Sequence, residues 1–492
     1  MDLEAATTDL HTSDGGRRGL VAVISVAFIT TYLFGSANVA LPYIRTELHS
    51  SPAAGAMVMG GYAVTFATLQ IWFGRLGDNV GRHHLLRWGL AGIVLTSVAV
   101  GAANSITALI VLRMVQGIAV AAAAPQLLST IQATRHGAAR ARAIAGFSAA
   151  AGLGSGAGVV LGGALGQLNL GGLTWRPVMW SPAVVAGVAW WLSRHVAPTA
   201  AANRQRHDLT GTALLTAALV ALVGALSLGP TLAWPWWTLA LLVLAIGGLA
   251  LFWRVEHRWE QRGGSPLVPP SVVRLPTVAA GLVMTGLFFG GYGAFTYEWA
   301  AHTQQALGSQ VLQSGLGLGG FCLAFFLGSL ALGRVQERLG NLTMAVGGLL
   351  QLLALAGIVV VGVLAPAEVW ILAQQPPTVL LGIAQAWQFG PLVQTVMAGV
   401  PDRAAGLTGG LVSTAQQAAL AVGVAVIGGA FFAVSGSVSP ASGWAVGIGL
   451  QAIGTAGFIA LAIWMRRRLA THPASRPVAR GEVAVSMTTS HS

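Results

Sequence analysis

A succession of long apolar runs constrains this chain more than any other feature of its sequence. Each is about the twenty residues that a helix needs to cross a hydrocarbon core. Fourteen can be read, near 20–42, 54–73, 86–103, 106–129, 143–165, 176–194, 209–229, 236–254, 278–304, 311–332, 342–364, 369–397, 407–433 and 443–465. A segment without water around it must satisfy its backbone hydrogen bonds internally, so each run is expected to be a helix. Only 8% of the 492 residues are charged, against roughly 25% in an ordinary soluble domain. The 66 glycines follow no period of three, which suits close helix packing rather than collagen. These features exclude a soluble enzyme, a disordered chain and a disulfide scaffold. An all-α polytopic membrane protein remains.

The arginines test the count. All 26 basic residues are Arg, giving a net charge of +12. With the N-terminus in the cytoplasm, 23 of them fall in inward segments, Arg45 and Arg176 fall outward, and Arg113 lies within a helix. That asymmetry follows the positive-inside rule. It predicts a multi-pass protein of the cell (inner or plasma) membrane with both termini cytoplasmic. It also turns the basic charge toward lipid headgroups, and no nucleic-acid partner is expected. Residues 1–19 read as a disordered cytoplasmic tail, because Asp2, Glu4, Asp9 and Asp14 give the wrong sign for a signal peptide. The lone Cys322 sits in an apolar run and reads as a packing residue.

A repeat is hidden between the runs. Gly74-Arg75-Leu76-Gly77-Asp78-Asn79-Val80-Gly81-Arg82 follows the second span, and Gly333-Arg334-Val335-Gln336-Glu337-Arg338-Leu339-Gly340 follows the tenth, 259 residues later. An even number of helices separates the two copies, so both face the same side. Parallel halves of this kind are one of the internal symmetries of transporters. The expected organisation is a tail over 1–19, a six-helix bundle over 20–208, an inserted two-helix hairpin and loop over 209–276, a second six-helix bundle over 277–465, and a tail over 466–492.

These residues resemble the major facilitator superfamily, specifically its fourteen-span drug:proton antiporter branch. Residues 74–86, with Gly74, Leu76, Asp78, Gly81 and Arg82, are similar to that family's signature between helices 2 and 3. Leu109 to Gly117, with Arg113 and Gln116, resembles its fourth-helix motif. Gly154, Gly158, Gly162 and Gly163 match the spacing of its fifth-helix antiporter motif, and Asn38 to Pro42 looks like the end of its first-helix signature. Two positions depart from the pattern: Val159 stands where the antiporter motif carries Pro, and Leu33 where many relatives carry Asp. The resemblance implies alternating access and export of amphipathic small molecules, drugs or antibiotics, in exchange for protons. The departures leave an importer or facilitator of a small solute as the alternative.

The residues themselves suggest roles. Asp78, among Arg75 and Arg82, can latch neighbouring helices together and bias one access state, with Gly74 and Gly81 allowing close approach; the alternative is a charged loop that only anchors topology. Arg113, about 10 Å into its span, needs a cavity, water or a partner at that depth. Glu298 is the one carboxylate inside a predicted span, the other acids falling in tails, loops and helix ends. With Arg113 it is the candidate for proton coupling, unless it is a rim residue in contact with water. Gln385, Trp387, Gln388, Gln416 and Gln417 are candidates for a substrate cavity; alternatively they tie helices together. No catalytic constellation, metal cluster or cofactor motif is present, and a chain without Lys cannot carry an ATP-binding P-loop. Neither enzyme activity nor a cofactor is expected, and a monomer suffices.

Overall fold

The computed structural model describes residues 14–168, 170–198, 208–229, 232, 234–264, 266–398 and 405–471. Expectations for the tail acids Asp2, Glu4 and Asp9, and for Arg204, Arg206, Arg403, Arg476 and Arg480, lie outside them. The regular structure of the described residues is entirely helical.

The first six helices are α1 (Asp14–Glu47), α2 (Pro52–Val80), α3 (Arg82–Gly101), α4 (Ile106–Thr134), α5 (Gly137–Leu168) and α6 (Arg176–Leu192). A hairpin of α7 (Leu209–Leu228) and α8 (Trp236–Gln261) follows. The remaining helices are α9 (Pro276–Ala301), α10 (Val311–Gly317), α11 (Gly319–Leu339), α12 (Thr343–Leu364), α13 (Gln375–Ala398), α14 (Ala405–Gly423), α15 (Gly429–Ser437) and α16 (Pro440–Thr471). Ser51 and Ser105 cap α2 and α4 by accepting from the amides of Ala54 and Ala108, each at 3.2 Å. Nine stretches among the described residues are long and apolar enough to cross a membrane. This is a multi-pass membrane protein.

Several boundaries differ from expectation. Asp14 to Gly19, expected in a disordered tail, opens α1. The segment 74–80, expected as a loop, continues α2 to Val80; the break waits for Gly81, whose φ of 109° an L-residue rarely adopts. The tenth run is divided at Leu318 into α10 and α11, and α11 runs on to Leu339 through the second copy of the repeat. Pro376 and Pro377 do not break α13, because they fall in its first turn, where a missing N–H costs nothing. A π-helical stretch, Val424–Gly428, joins α14 to α15.

Within the first group α1 packs on α5, α2 on α4, and α3 on both α4 and α6. In the second, α11 and α12 flank α13, while α9 packs on α14 and α16. The hairpin leans on α2 through α7. The two groups meet along α5 and α11, and along α2 and α14, where Thr414 donates to the Ala67 carbonyl at 3.0 Å.

At its glycines the α1–α5 contact brings backbone close to backbone, and Thr31 Oγ1 donates across it to the Ala151 carbonyl at 2.8 Å. A Cβ on Gly154 would lie 2.3 Å from the Phe28 carbonyl oxygen, and one on Gly158 would lie 2.6 Å from that of Tyr32. Small residues at this spacing are what allow so close a crossing. Gly158→Ala is therefore expected to cost roughly 1–3 kcal/mol, as overpacking does. Gly224→Ala, with nothing within 4 Å, is expected to be neutral. Thermal unfolding of the two purified variants checks the contrast.

Candidate functional site

The latch residues sit where α2 ends and α3 begins. Arg82, 5% exposed, donates from Nε to Asp78 Oδ1 at 2.8 Å, and its Nη1 donates to the Ser129 carbonyl on α4 at 3.2 Å. Its Nη2 also lies 2.8 Å from Asp78 Oδ1, completing the ion pair. The close approach is made at Gly77: a Cβ there would sit 2.1 Å from Gln126 Oε1, and Gln126 Nε2 reaches the Phe73 carbonyl at 2.9 Å. The second copy of the repeat is looser. Glu337 is exposed, and Gln336 holds Gln394 at 3.0 Å.

Arg113 is fully buried. Its guanidinium lies 4.3 Å over the Tyr62 ring and donates to Gln116 Oε1 at 2.6 Å. Gln116 donates in turn to Ser97 Oγ at 2.9 Å. Among the described residues no carboxylate pairs with it. A cation–π contact in this dry setting replaces the ion pair that the depth would otherwise demand.

Glu298 is buried, 0% exposed. It faces α16: Oε2 accepts from Gln451 Nε2 at 2.9 Å, and a Cβ on Gly447 would lie 2.3 Å from Oε1. A chain of buried amides and hydroxyls leads on from there. Thr455 donates to the Gln451 carbonyl, Gln351 to Thr455 Oγ1 at 3.0 Å, and Gln388 to Gln351 Oε1 at 2.6 Å. The structure does not bring Glu298 and Arg113 together; their partners belong to different helix groups. Just after α9, the His302 ring lies tilted against Trp370 and Trp444, with centroids 4.8 and 5.1 Å away, a burial that its place at a helix end did not signal.

The five residues expected to line a cavity lie on α13 and α14 and differ in burial. Gln388 is held by Gln351, Gln385 is 2% exposed, Trp387 is half-buried, and Gln416 and Gln417 are half-buried on α14. What the two helix groups do share is an aromatic seam. Phe147 on α5 meets Phe389 on α13 at 5.4 Å, and Phe389 stacks on Phe288 at 5.7 Å. Tyr292 exchanges a hydrogen bond with Ser155 at 3.0 Å, and a Cβ on Gly152 would lie 2.4 Å from Phe325. Of the fifth-helix glycines, Gly154, Gly158 and Gly162 face α1, whereas Gly163 faces Leu312 of the second group. Val159 fits against Gly315 there, and Leu33 is buried at 2% exposure. On the side where α1 ends, Tyr43, Glu47, Gln167 and Gln310 line a crevice of about 470 Å³ between the groups.

Helices in two groups around a shared seam, with polar residues buried at depth, define a membrane transporter fold. The chain belongs to the Major Facilitator Superfamily, whose family model matches residues 23–424. It is 30% identical to a protein named as the probable actinorhodin transporter of Streptomyces coelicolor, over 87% of this chain and 74% of that one. It is 29% identical to the tetracenomycin C resistance and export protein of Streptomyces glaucescens, over 87% of this chain and 79% of that one. Among solved structures, the human organic anion transporter MFSD10 superposes with a TM-score of 0.61, at 16% identity, covering 91% of this chain and all of that one. The last likeness concerns the fold alone. The family is one of transporters, not an enzyme class.

The Arg113 environment makes a stability prediction. Tyr62→Phe keeps a ring face under the guanidinium and should leave thermal stability within about 1 kcal/mol. Tyr62→Ala should cost about 3 kcal/mol or more through the cavity and the lost contact. Equal losses in the two variants would contradict a ring-face role.

Proposed function

We propose that this protein is a fourteen-span exporter of amphipathic small molecules, drugs or antibiotics, driven by proton antiport with alternating access across the cell membrane. The observation that carries the export reading is the match, over most of the chain, to proteins named for transport, resistance and export. The division into a six-helix bundle over 20–208, a hairpin over 209–276 and a second bundle over 277–465 fits the packing groups. Both termini lie in the cytoplasm, toward which the Arg-rich segments turn. A monomer suffices, with protons and substrate as partners and the bilayer as surroundings.

In this scheme Asp78 and Arg82 form the latch, with Gly74 and Gly81 beside it. Breaking a half-buried ion pair of this kind biases the equilibrium between access states. Glu298 carries the coupling proton: it is the carboxylate deepest in the second bundle, and one oxygen, Oε1, has no hydrogen-bond partner. Arg113 acts at a distance, by keeping positive charge in the first bundle. Gly154, Gly158, Gly162 and Gly163 let α5 turn against its neighbours, and substrate enters along the aromatic seam, with the amides of Gln385 and Gln388, Trp387, Gln416 and Gln417 around it.

Everted vesicles loaded with a substrate dye provide the test. A pH gradient should drive accumulation, and an ionophore should abolish it. Glu298→Gln should lose gradient-driven transport while keeping downhill dye exchange, and Asp78→Asn should lower both by tenfold or more at unchanged expression. Accumulation indifferent to the gradient would remove proton coupling. Full activity of Asp78→Asn would remove the latch.

A further inference from the structure

One cluster has no part in that scheme. It lies where the hairpin and the segment 266–268 meet α2. Asp208 caps α7, its Oδ1 accepting from Gly211 N at 2.7 Å and its Oδ2 from Leu267 N at 3.3 Å. Glu256, near the end of α8, accepts from Val268 N at 2.7 Å through Oε2. The two carboxyls are buried, 2% and 0% exposed, and both turn toward Gly211. A Cβ on Gly211 would lie 2.2 Å from Glu256 Oε1 and 2.4 Å from Asp208 Oδ2.

Among the described residues the charges acting on them are few, and Arg254 and Arg258 on α8 are exposed. Arg75, 7% exposed, donates to the Pro266 carbonyl, and its charge acts on Asp208, Glu256 and Asp78. Asp208 and Arg75 are the charged groups that act on Glu256. On α8, Glu260 is turned to Ser271 and His257 to Gln261. Arg274, beyond the 266–268 segment, lies over Trp253. On α2, Asp78 is held by Arg82, and the sequence of α14 carries no charged residue. Among the described residues, two carboxylates therefore share one guanidinium in a buried site. Both cannot remain ionised there without a large penalty, since like charges at this range disfavour each other and burial disfavours both. Glu256 Oε1 receives no N–H or O–H from the protein. A proton on one carboxyl would supply the missing O–H···O bond and bring the site to neutrality.

We propose that Asp208 and Glu256 are a proton-binding site, holding one shared proton that ties the inserted hairpin to Arg75 and, through Arg75, to the Asp78–Arg82 pair. The bound proton comes from water at the end of the bundle where α2 and α8 terminate; its loss leaves two carboxylates against one guanidinium. Arg75 is then drawn to the pair, and less of its field serves Asp78. The hairpin thereby senses the proton concentration at the end of the molecule where the latch lies.

Infrared absorption of the full chain in lipid nanodiscs tests this directly. At neutral pH the wild type should show a protonated-carboxyl band that titrates away as pH rises. Glu256→Gln should lose it. Asp208→Asn should lose it too, because Glu256 alone beside Arg75 becomes an ordinary ion pair. Loss in Asp208→Asn as well as in Glu256→Gln is the signature of a shared proton, and the wild-type titration remains a test if a variant fails to fold. A band that persists unchanged in Asp208→Asn, or a wild type with both carboxyls ionised at neutral pH, would overturn the proposal. No substrate is needed, so the result is independent of proton antiport. Glu298→Gln, which bears on antiport, should leave this band in place.

Discussion

The structure depends on what α5 does with its two faces. One face brings glycines against the carbonyls of Phe28 and Tyr32 on α1, where Thr31 Oγ1 also donates to the Ala151 carbonyl at 2.8 Å. The other presents Phe147, Gly152, Ser155 and Gly156 to the aromatic rings and Cys322 of the second helix group. Lipid tails are as apolar as any side chain, so burial alone does not drive such helices together; van der Waals fit and a few hydrogen bonds do. α5 is bound tightly on one side and by replaceable contacts on the other. That asymmetry is what a rocking helix group requires.

Polar residues follow the same economy. Arg113 has a ring face and Gln116, Glu298 has Gln451, and Gln388 has Gln351. Each of these partners lies within its own helix group, although Glu298 Oε1 and the Nε and Nη2 of Arg113 have no hydrogen-bond partner. The contacts between groups are rings, small residues and single hydrogen bonds from Tyr292 and Thr414. In the proposed cycle, the ring contacts and single hydrogen bonds between the groups are what a change of access state would exchange.

Much of this was legible in the sequence where the interaction is local or periodic. The glycine spacing of 154, 158 and 162 places all three on one helix face. Asp78 and Arg82 are four residues apart, within reach whether the segment is loop or helix. The family resemblance was carried by such patterns. What the sequence hid needs the chain to fold back on itself. Asp208 and Glu256 read as helix-end acids because their burial depends on the 266–268 backbone and on α2. The hydrogen bond from Gln388 to Gln351 was hidden because the two lie on different helices. The break at Leu318 and the π-helical turn at 424–428 leave no mark in an apolar run.

The claim that the two helix groups move against each other along α5 is the one on which transport rests. Its most direct measurement is a reversible cross-link across the seam. With Cys322→Ala as background, cysteines replacing Ser155 and Tyr292 can be bridged by a short reducible reagent in proteoliposomes. Transport should stop on bridging and return on reduction, while either single cysteine variant, treated alike, keeps its activity. Undiminished transport with the bridge intact would contradict the account.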